Sequence, residues 1–297
     1  MQPNSPEELP LQAILDTEFD LIVGLRVTTA DATQLWQQMA AAGLPLVYDL
    51  DDDFFAIPAD NPAHRYFNQP EVQARIKDNI RLAQAVTVTN EYLADVVREY
   101  NPNVHILPNM VDAALLDWQR PHAEKVTIGW SGTSHHDVDF DSAAKPLAAF
   151  FSRRPDVDLH MVGADYRDRV KQPNARHSAW TSAERFHQLL DFDIGIIPLA
   201  WLPFNRAKSD IKLLDMAALG IPVVASDYGP YAVINHGKTG YLVNSDHEWK
   251  KYLGELVDDP AMRQAMGENA KEWASSRTIQ KNIHLWEAVY QQVLDQA

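Results

Sequence analysis

The stretch Asn205-Arg206-Ala207-Lys208-Ser209-Asp210-Ile211-Lys212-Leu213-Leu214-Asp215-Met216-Ala217-Ala218-Leu219-Gly220-Ile221-Pro222-Val223-Val224-Ala225-Ser226 decides the fold. Ser209 is a good N-cap residue ahead of an apolar run, which predicts a helix starting there. Gly220 suits its end, and Pro222 prevents continuation. The β-branched run 221–225 predicts a short strand buried on both faces. A helix N-terminus exposes free N–H groups and a partial positive charge. Arg206, Lys208 and Lys212 bring three cations to that end. On a helix Lys208 and Lys212 would share a face and repel, and an anion between them removes that cost. Asp215 lies on the same side, placed to accept hydrogen bonds from hydroxyls of the same ligand. The plainer alternative is a surface ion pair of Lys212 with Asp215 and a solvated Arg206. With its flanks, the stretch points to a site for a phosphorylated small molecule.

Outward from it, strands are predicted at 19–27, 46–50, 85–89 and 104–107, and helices at 30–42, 71–84 and 91–100. This alternation implies a parallel sheet covered by helices. Residues 1–8 read as a loose tail and 56–70 as a loop. A linker is expected at 118–125, after which a second strand–helix series begins. From Asp258 the chain reads as helical, with Trp273, Trp286 and Tyr290 as packing anchors.

The 297 residues are 46% hydrophobic, enough for two packed domains. The net charge of −15 disfavours broad electrostatic binding to nucleic acid or anionic membrane. A local basic cleft is still allowed. The absence of cysteine excludes disulfides and thiolate metal sites. No apolar stretch is long enough to span a bilayer, and the acidic N-terminus lacks a signal-type core, so a cytoplasmic location is expected.

Other polar groups compete for roles. Asp49, Asp51, Asp52 and Asp53 crowd the end of a predicted strand. They offer a general base or an acceptor contact, or only a turn with side-chain caps. Ser134-His135-His136-Asp137 follows a Gly132 loop, with Asp139 and Asp141 beyond. A histidine there could donate to a phosphate or contact an acceptor. Trp180 and Trp201 fall in loops near strand ends, suited to stacking on a base or sugar ring or to packing.

The run Lys-Ser-x-x-Lys-x-x-Asp from Lys208, followed by Gly220-Ile221-Pro222-Val223-Val224-Ala225-Ser226, Gly229-Pro230-Tyr231 and His236-Gly237-Lys238-Thr239-Gly240-Tyr241, resembles the nucleotide-sugar half of group 1 (family-4-like) glycosyltransferases. Ile128-Gly129-Trp130-Ser131-Gly132-Thr133 and Phe192-Asp193-Ile194-Gly195-Ile196-Ile197-Pro198 extend the likeness upstream. The resemblance implies the α/β GT-B fold: two Rossmann-like domains facing a cleft, here with a reduced first domain. It implies an acceptor-side domain at 1–118, a donor domain at 119–280, and a last helix at 281–297 packing back on the first. It implies transfer of a sugar from a nucleotide diphosphate sugar to a hydroxyl, with retention and without a metal or other cofactor.

Donor contacts are then expected from Ser131, Gly132, Thr133, Trp180, Arg206, Lys208, Ser209, Lys212 and Asp215. Asp215 stands where the family usually has a Glu for the ribose. Ala207 stands where it often has a Glu that touches the transferred sugar. Catalytic candidates are Asp51, His135, Arg206 and Lys212, and acceptor candidates Asp52, Asp53 and His136. The acceptor is left open among a glycan, a lipid-linked sugar, a protein and a modified DNA base. A non-catalytic sugar-nucleotide binder is the reading that Ala207 favours.

Overall fold

Short β-branched runs alternate with amphipathic segments throughout. The computed structural model, which describes residues 11–121, 124–182 and 185–296, gathers them into two units. One unit runs to Pro108 and resumes at Ile283; the other is Asn109–Asn282. The tail read at 1–8 and His122 of the expected linker lie outside the described residues.

The first unit holds α1 (Leu11–Asp16), β1 (Ile22–Leu25), α2 (Ala30–Ala41), β2 (Leu46–Leu50), α3 (His64–Phe67), α4 (Pro70–Leu82), β3 (Ala85–Val88), α5 (Glu91–Arg98) and β4 (Val104–Ile106). The side chains of Thr29 and Asn90 cap α2 and α5. The four strands are parallel, in the order β1-β2-β3-β4. Every crossover therefore steps the same way, and right-handed crossovers put α2, α4 and α5 on one face. Trp36 of α2 packs edge-on to Tyr48 there, its indole N–H donating to Asn79 O at 3.1 Å.

The other face receives no helix from these crossovers. It is covered by the end of the chain, where Val289 and Val293 pack on Val47, Ala85 and Leu107.

The second unit holds β5 (Thr127–Gly132), α6 (Asp137–Phe151), β6 (Asp158–Gly163), α7 (Arg167–Val170), β7 (Ala175–Ser178), α8 (Arg185–Leu189), β8 (Ile194–Ile197), α9 (Pro203–Arg206), α10 (Ile211–Ala218), β9 (Val223–Ser226), β10 (Tyr241–Val243), α11 (Asp246–Asp258) and α12 (Pro260–Ser275). The final helix, α13 (Ile279–Leu294), starts in this unit and passes into the first. The sheet order is β10-β9-β8-β5-β6-β7, all parallel. Both faces are apolar: Ile128, Ile194, Ile196 and Val224 point to one core, and Ile197, Val223 and Ala225 to the other. Strands step one way from β5 to β7 and the other way from β8 to β10. The order reverses between β5 and β8, and a crevice opens beyond the carboxyl ends of strands at such a point.

The first division falls at Pro108/Asn109 rather than at 118/119. Val111, Leu115 and Trp118 explain this by packing into the second unit's core, and Val111 pairs with the Arg277–Ile279 segment through its N–H and C=O. Two local expectations are corrected. The helix begins at Ile211 with Asp210 at its N-cap, not Ser209. The Asp210 carboxylate makes no cap bond because Arg277 holds both its oxygens at 3.1 Å. The strand starts at Val223, since Pro222 follows the left-handed turn at Gly220 (φ 69°).

Deleting residues 283–297 should strip one face of the first sheet and leave the second unit folded. Limited proteolysis of the truncated chain is expected to degrade the region before Pro108 and spare Asn109–Asn282. Equal resistance of both units would show that the last helix does not hold the first.

Candidate functional site

The loops after β5 and β8 flank the switch point, and a carboxylate joins them. Asp139, in the first turn of α6, is only 4% exposed. Its Oδ1 accepts from Ala200 N at 3.0 Å and Asn205 Nδ2 at 2.6 Å, while Oδ2 accepts from His136 Nδ1 at 2.7 Å and Lys208 Nζ at 3.1 Å. Burial works against its charge, but the His136 and Lys208 contacts and the Ala200 N–H outweigh it and hold the carboxyl well below its usual range.

His136 titrates the other way. Burial, then the Lys212 and Lys208 charges, push it down to about 4 against the pull of Asp139. It is neutral near pH 7. The short bond to Asp139 assigns its proton to Nδ1 and leaves the Nε2 lone pair unprotonated.

Lys208 and Lys212 stand in different electrostatic positions. Lys208 precedes the helix, so the two do not share a helical face, and its charge is balanced by Asp139. Lys212, on the first turn of α10, has no ion pair or hydrogen bond among the described residues. Its ammonium lies 5.6 Å from the centre of the Trp130 ring and beside Gly132. A Cβ on Gly132 would come within 2.9 Å of Lys212 Nζ and 2.7 Å of the Trp130 ring. The missing side chain is what lets the ammonium reach the end of β5. Burial, then Lys208, lower Lys212 to about 7, with Asp139 opposing.

Around this pair the expected donor residues are distributed unevenly. Ser131 and Gly132 end β5, and the Thr133 carbonyl accepts from Tyr166 Oη at 3.3 Å. Arg206 is exposed at the end of α9; Ser209 and Asp215 are half-buried. Ala207 is fully buried and presents nothing to a ligand. Trp180, 46% exposed, follows β7, its Cβ 3.5 Å from where a Cβ on Gly163 would sit. His135 is exposed, 3.4 Å from Thr133 Oγ1, and stands outside the Asp139 network that holds His136.

In the first unit the acidic run reads structurally. Both oxygens of Asp51 are taken by Arg26, from Nε at 2.6 Å and from the neighbouring Nη2. Asp53 is buried and accepts from Phe55 N at 3.0 Å in a turn; burial raises its carboxyl. Asp52 stands 4.0 Å from Arg26. Among the described residues no group of three or more His, Asp or Glu is placed to hold a metal ion. None of the described helices is long and apolar enough to cross a membrane. Sequence reasoning passed over Asp139 and Asn205; the available signal was a histidine three residues before a helical aspartate.

Residues 206–273 match the family of glycosyl transferases group 1. The chain is 22% identical over 284 residues to the putative teichuronic acid biosynthesis glycosyltransferase TuaH of Bacillus subtilis, covering 84% of this chain and 66% of that one. It is 32% identical over 150 residues to the D-inositol 3-phosphate glycosyltransferase of Corynebacterium glutamicum, 44% of this chain and 34% of the other. It therefore spans about two thirds or less of the length of these relatives. Its backbone is similar to sucrose-phosphate synthase from Thermosynechococcus elongatus (TM-score 0.72, 16% identity, covering 97% and 78%). It is also similar to Anabaena HepE in complex with UDP and glucose (TM-score 0.68, 18% identity, covering 94% and 80%). The resemblance read from the sequence is borne out: residues 206–273 carry the group 1 glycosyl transferase match, and the chain is built from two Rossmann-like units of the GT-B fold.

Replacing Asp139 with Asn should remove the carboxylate that Lys208, His136, Asn205 and Ala200 N share. The expected loss is about 3–5 kcal/mol, seen as a fall in Tm of roughly 6–20 °C. Adding Lys208→Met should recover part of it, because the ammonium that faced the lost carboxylate goes too. A double variant as unstable as Asp139→Asn would show that the ion pair is not the stabilising contact.

Proposed function

We propose that this chain moves a glycosyl group from a nucleoside diphosphate sugar to a hydroxyl acceptor. The observation that carries the reading is the Lys212 ammonium, without a counter-charge, beside Gly132 at the switch point of the second unit. A diphosphate seated there meets Lys212, the exposed Arg206 and the first turn of α10, whose N-cap side chain makes no cap bond. Breaking the bond between the sugar's anomeric carbon and the phosphate oxygen leaves charge on the diphosphate. Fixed positive groups aimed at that position stabilise the charge as it develops. The same cations would neutralise the leaving group without a metal, which is how we read the reaction. We read the outcome as retention, on the family resemblance.

The nucleobase would lie at the Trp180 side, next to Gly163. Lys208, bound to Asp139, would shape the Asn205–Ser209 loop, with Ser209 and Asp215 nearer the ligand. His136, neutral and held through Nδ1 by Asp139, would present its unprotonated Nε2 as a hydrogen-bond acceptor. Release of free sugar from the donor without acceptor would separate an enzyme from a pure binder.

UDP, GDP and ADP should be compared by thermal shift, and at least one should stabilise the protein. Arg206→Ala combined with Lys212→Ala is expected to abolish that shift; an unchanged shift would remove the proposed donor site.

The pH dependence follows from Lys212. Its pKa in the folded chain, about 7, is below the unfolded value of 10.5, so the unfolded chain binds more protons between them. This group makes unliganded stability rise from pH 7 towards 9. Diphosphate binding needs the ammonium, so affinity should fall by up to about tenfold per unit as pH rises above about 7. Lys212→Met should flatten the calorimetric titration profile, whereas an equally steep profile would assign the proton elsewhere.

A further inference from the structure

We propose that Trp201 and Tyr228 form a stacking plane for a pyranose ring of a carbohydrate acceptor, beside the phosphate site. The proposal rests on the donor reading above for its orientation. Trp201 is 68% exposed, more than any other large apolar side chain among the described residues. It is not a loose surface residue. One indole face lies on Tyr228, with ring centres 5.3 Å apart and planes at 13°, which leaves the opposite face open.

The backbone that carries the indole is pinned on both sides. Leu199 N donates to Ser226 Oγ at 2.9 Å, Ala200 N to Asp139 at 3.0 Å, and Asn205 Nδ2 to Ala200 O at 2.9 Å. Tyr228 Oη donates to Leu202 O at 3.0 Å, tying the second ring to the loop of the first. Gly229 has φ 59°, and a Cβ there would lie 2.6 Å from Asn205 O, so the turn after Tyr228 is wedged against the loop that carries Arg206. A flat apolar plane held this firmly and left open has the character of a ligand surface.

The sheet order supplies the direction. Trp180 follows β7 at one edge, Gly132 and Lys212 lie at the centre, and on the other side Trp201 follows β8 and Tyr228 follows the adjacent β9. A donor with its base near Trp180 and its diphosphate at Lys212 directs its sugar towards Trp201. The next ring along that line belongs to the acceptor. The C–H face of a pyranose suits an aromatic plane, and its rim hydroxyls suit the polar backbone around it.

The test uses the 297-residue chain saturated with UDP, or with GDP or ADP where that is the nucleotide that stabilises it, and titrated with maltose, cellobiose and chitobiose. The readout is the indole N–H NMR signal of Trp201, assigned from the Trp201→Phe spectrum. At least one disaccharide should shift this signal saturably, with Kd of about 1–20 mM, a range ordinary for one stacked ring. Trp201→Ala should bind that sugar at least about tenfold more weakly, and Tyr228→Ala likewise, while the UDP thermal shift stays unchanged. Trp201→Phe should keep most of the affinity, as read by saturation-transfer NMR on the sugar. No shift with any of the three up to roughly 50 mM would overturn the proposal. A loss of UDP binding in Trp201→Ala would overturn it too, assigning the residue to the donor. A saturable disaccharide shift in a protein that none of UDP, GDP and ADP stabilises would keep the plane and sink the donor reading, so the two fail separately.

Discussion

The second unit's site depends on a single buried carboxylate. Asp139 reaches out of the first turn of α6 and takes up donors from three directions: the backbone after β8, the Asn205 side chain, and the pair His136 and Lys208. A buried charge is tolerated only when its lone pairs are filled, and here two oxygens share four donors. The geometry of the β8 loop, and with it the positions of Arg206 and Trp201, follows from satisfying that group. This loop is therefore shaped from the inside, by an interaction buried beneath it.

The same carboxylate divides two lysines that look equivalent in the sequence. Lys208 spends its charge on Asp139. Lys212, four residues later and on the first turn of the helix, has no carboxylate paired with it among the described residues and loses much of its hydration. Only the second can gain a strong new partner from an incoming anion, since an ammonium already paired has less to gain from another charge. A chain with net charge −15 can still attract an anion to one point in this way. The field is local, and Gly132 supplies the opening that the ammonium occupies.

What was legible in the sequence was mostly local. Strand 46–50 and helix 30–42 follow from period and capping, and they appear within a residue of the expected bounds. The helix stop at Gly220 needed only the left-handed conformation that glycine permits. Lys212 and the Gly132 loop could be singled out because a cation near a helix start and a glycine after a strand carry chemical meaning on their own, and the two lie side by side. Asp139 was missed because its partners are 61 and 66 residues away at Ala200 and Asn205. Ser209 was misread as a cap because Arg277, 67 residues further on, engages Asp210 and fixes where the helix turns. Spacing along a chain does not report such pairings.

The two sheets also explain why the acidic run in the first unit carries less chemistry than its composition promises. In the second sheet the strand order reverses, and the reversal makes room for a ligand between neighbouring loops. In the first the order β1-β2-β3-β4 runs one way, without a reversal. Asp51 and Asp53 instead accept hydrogen bonds within their own unit, one from Arg26 and one from the turn at Phe55. A carboxylate paired with a guanidinium, as Asp51 is, makes a weak base. His136, held by Asp139 at Nδ1, is kept neutral by burial and the neighbouring lysines, so it too is a weak proton acceptor near pH 7.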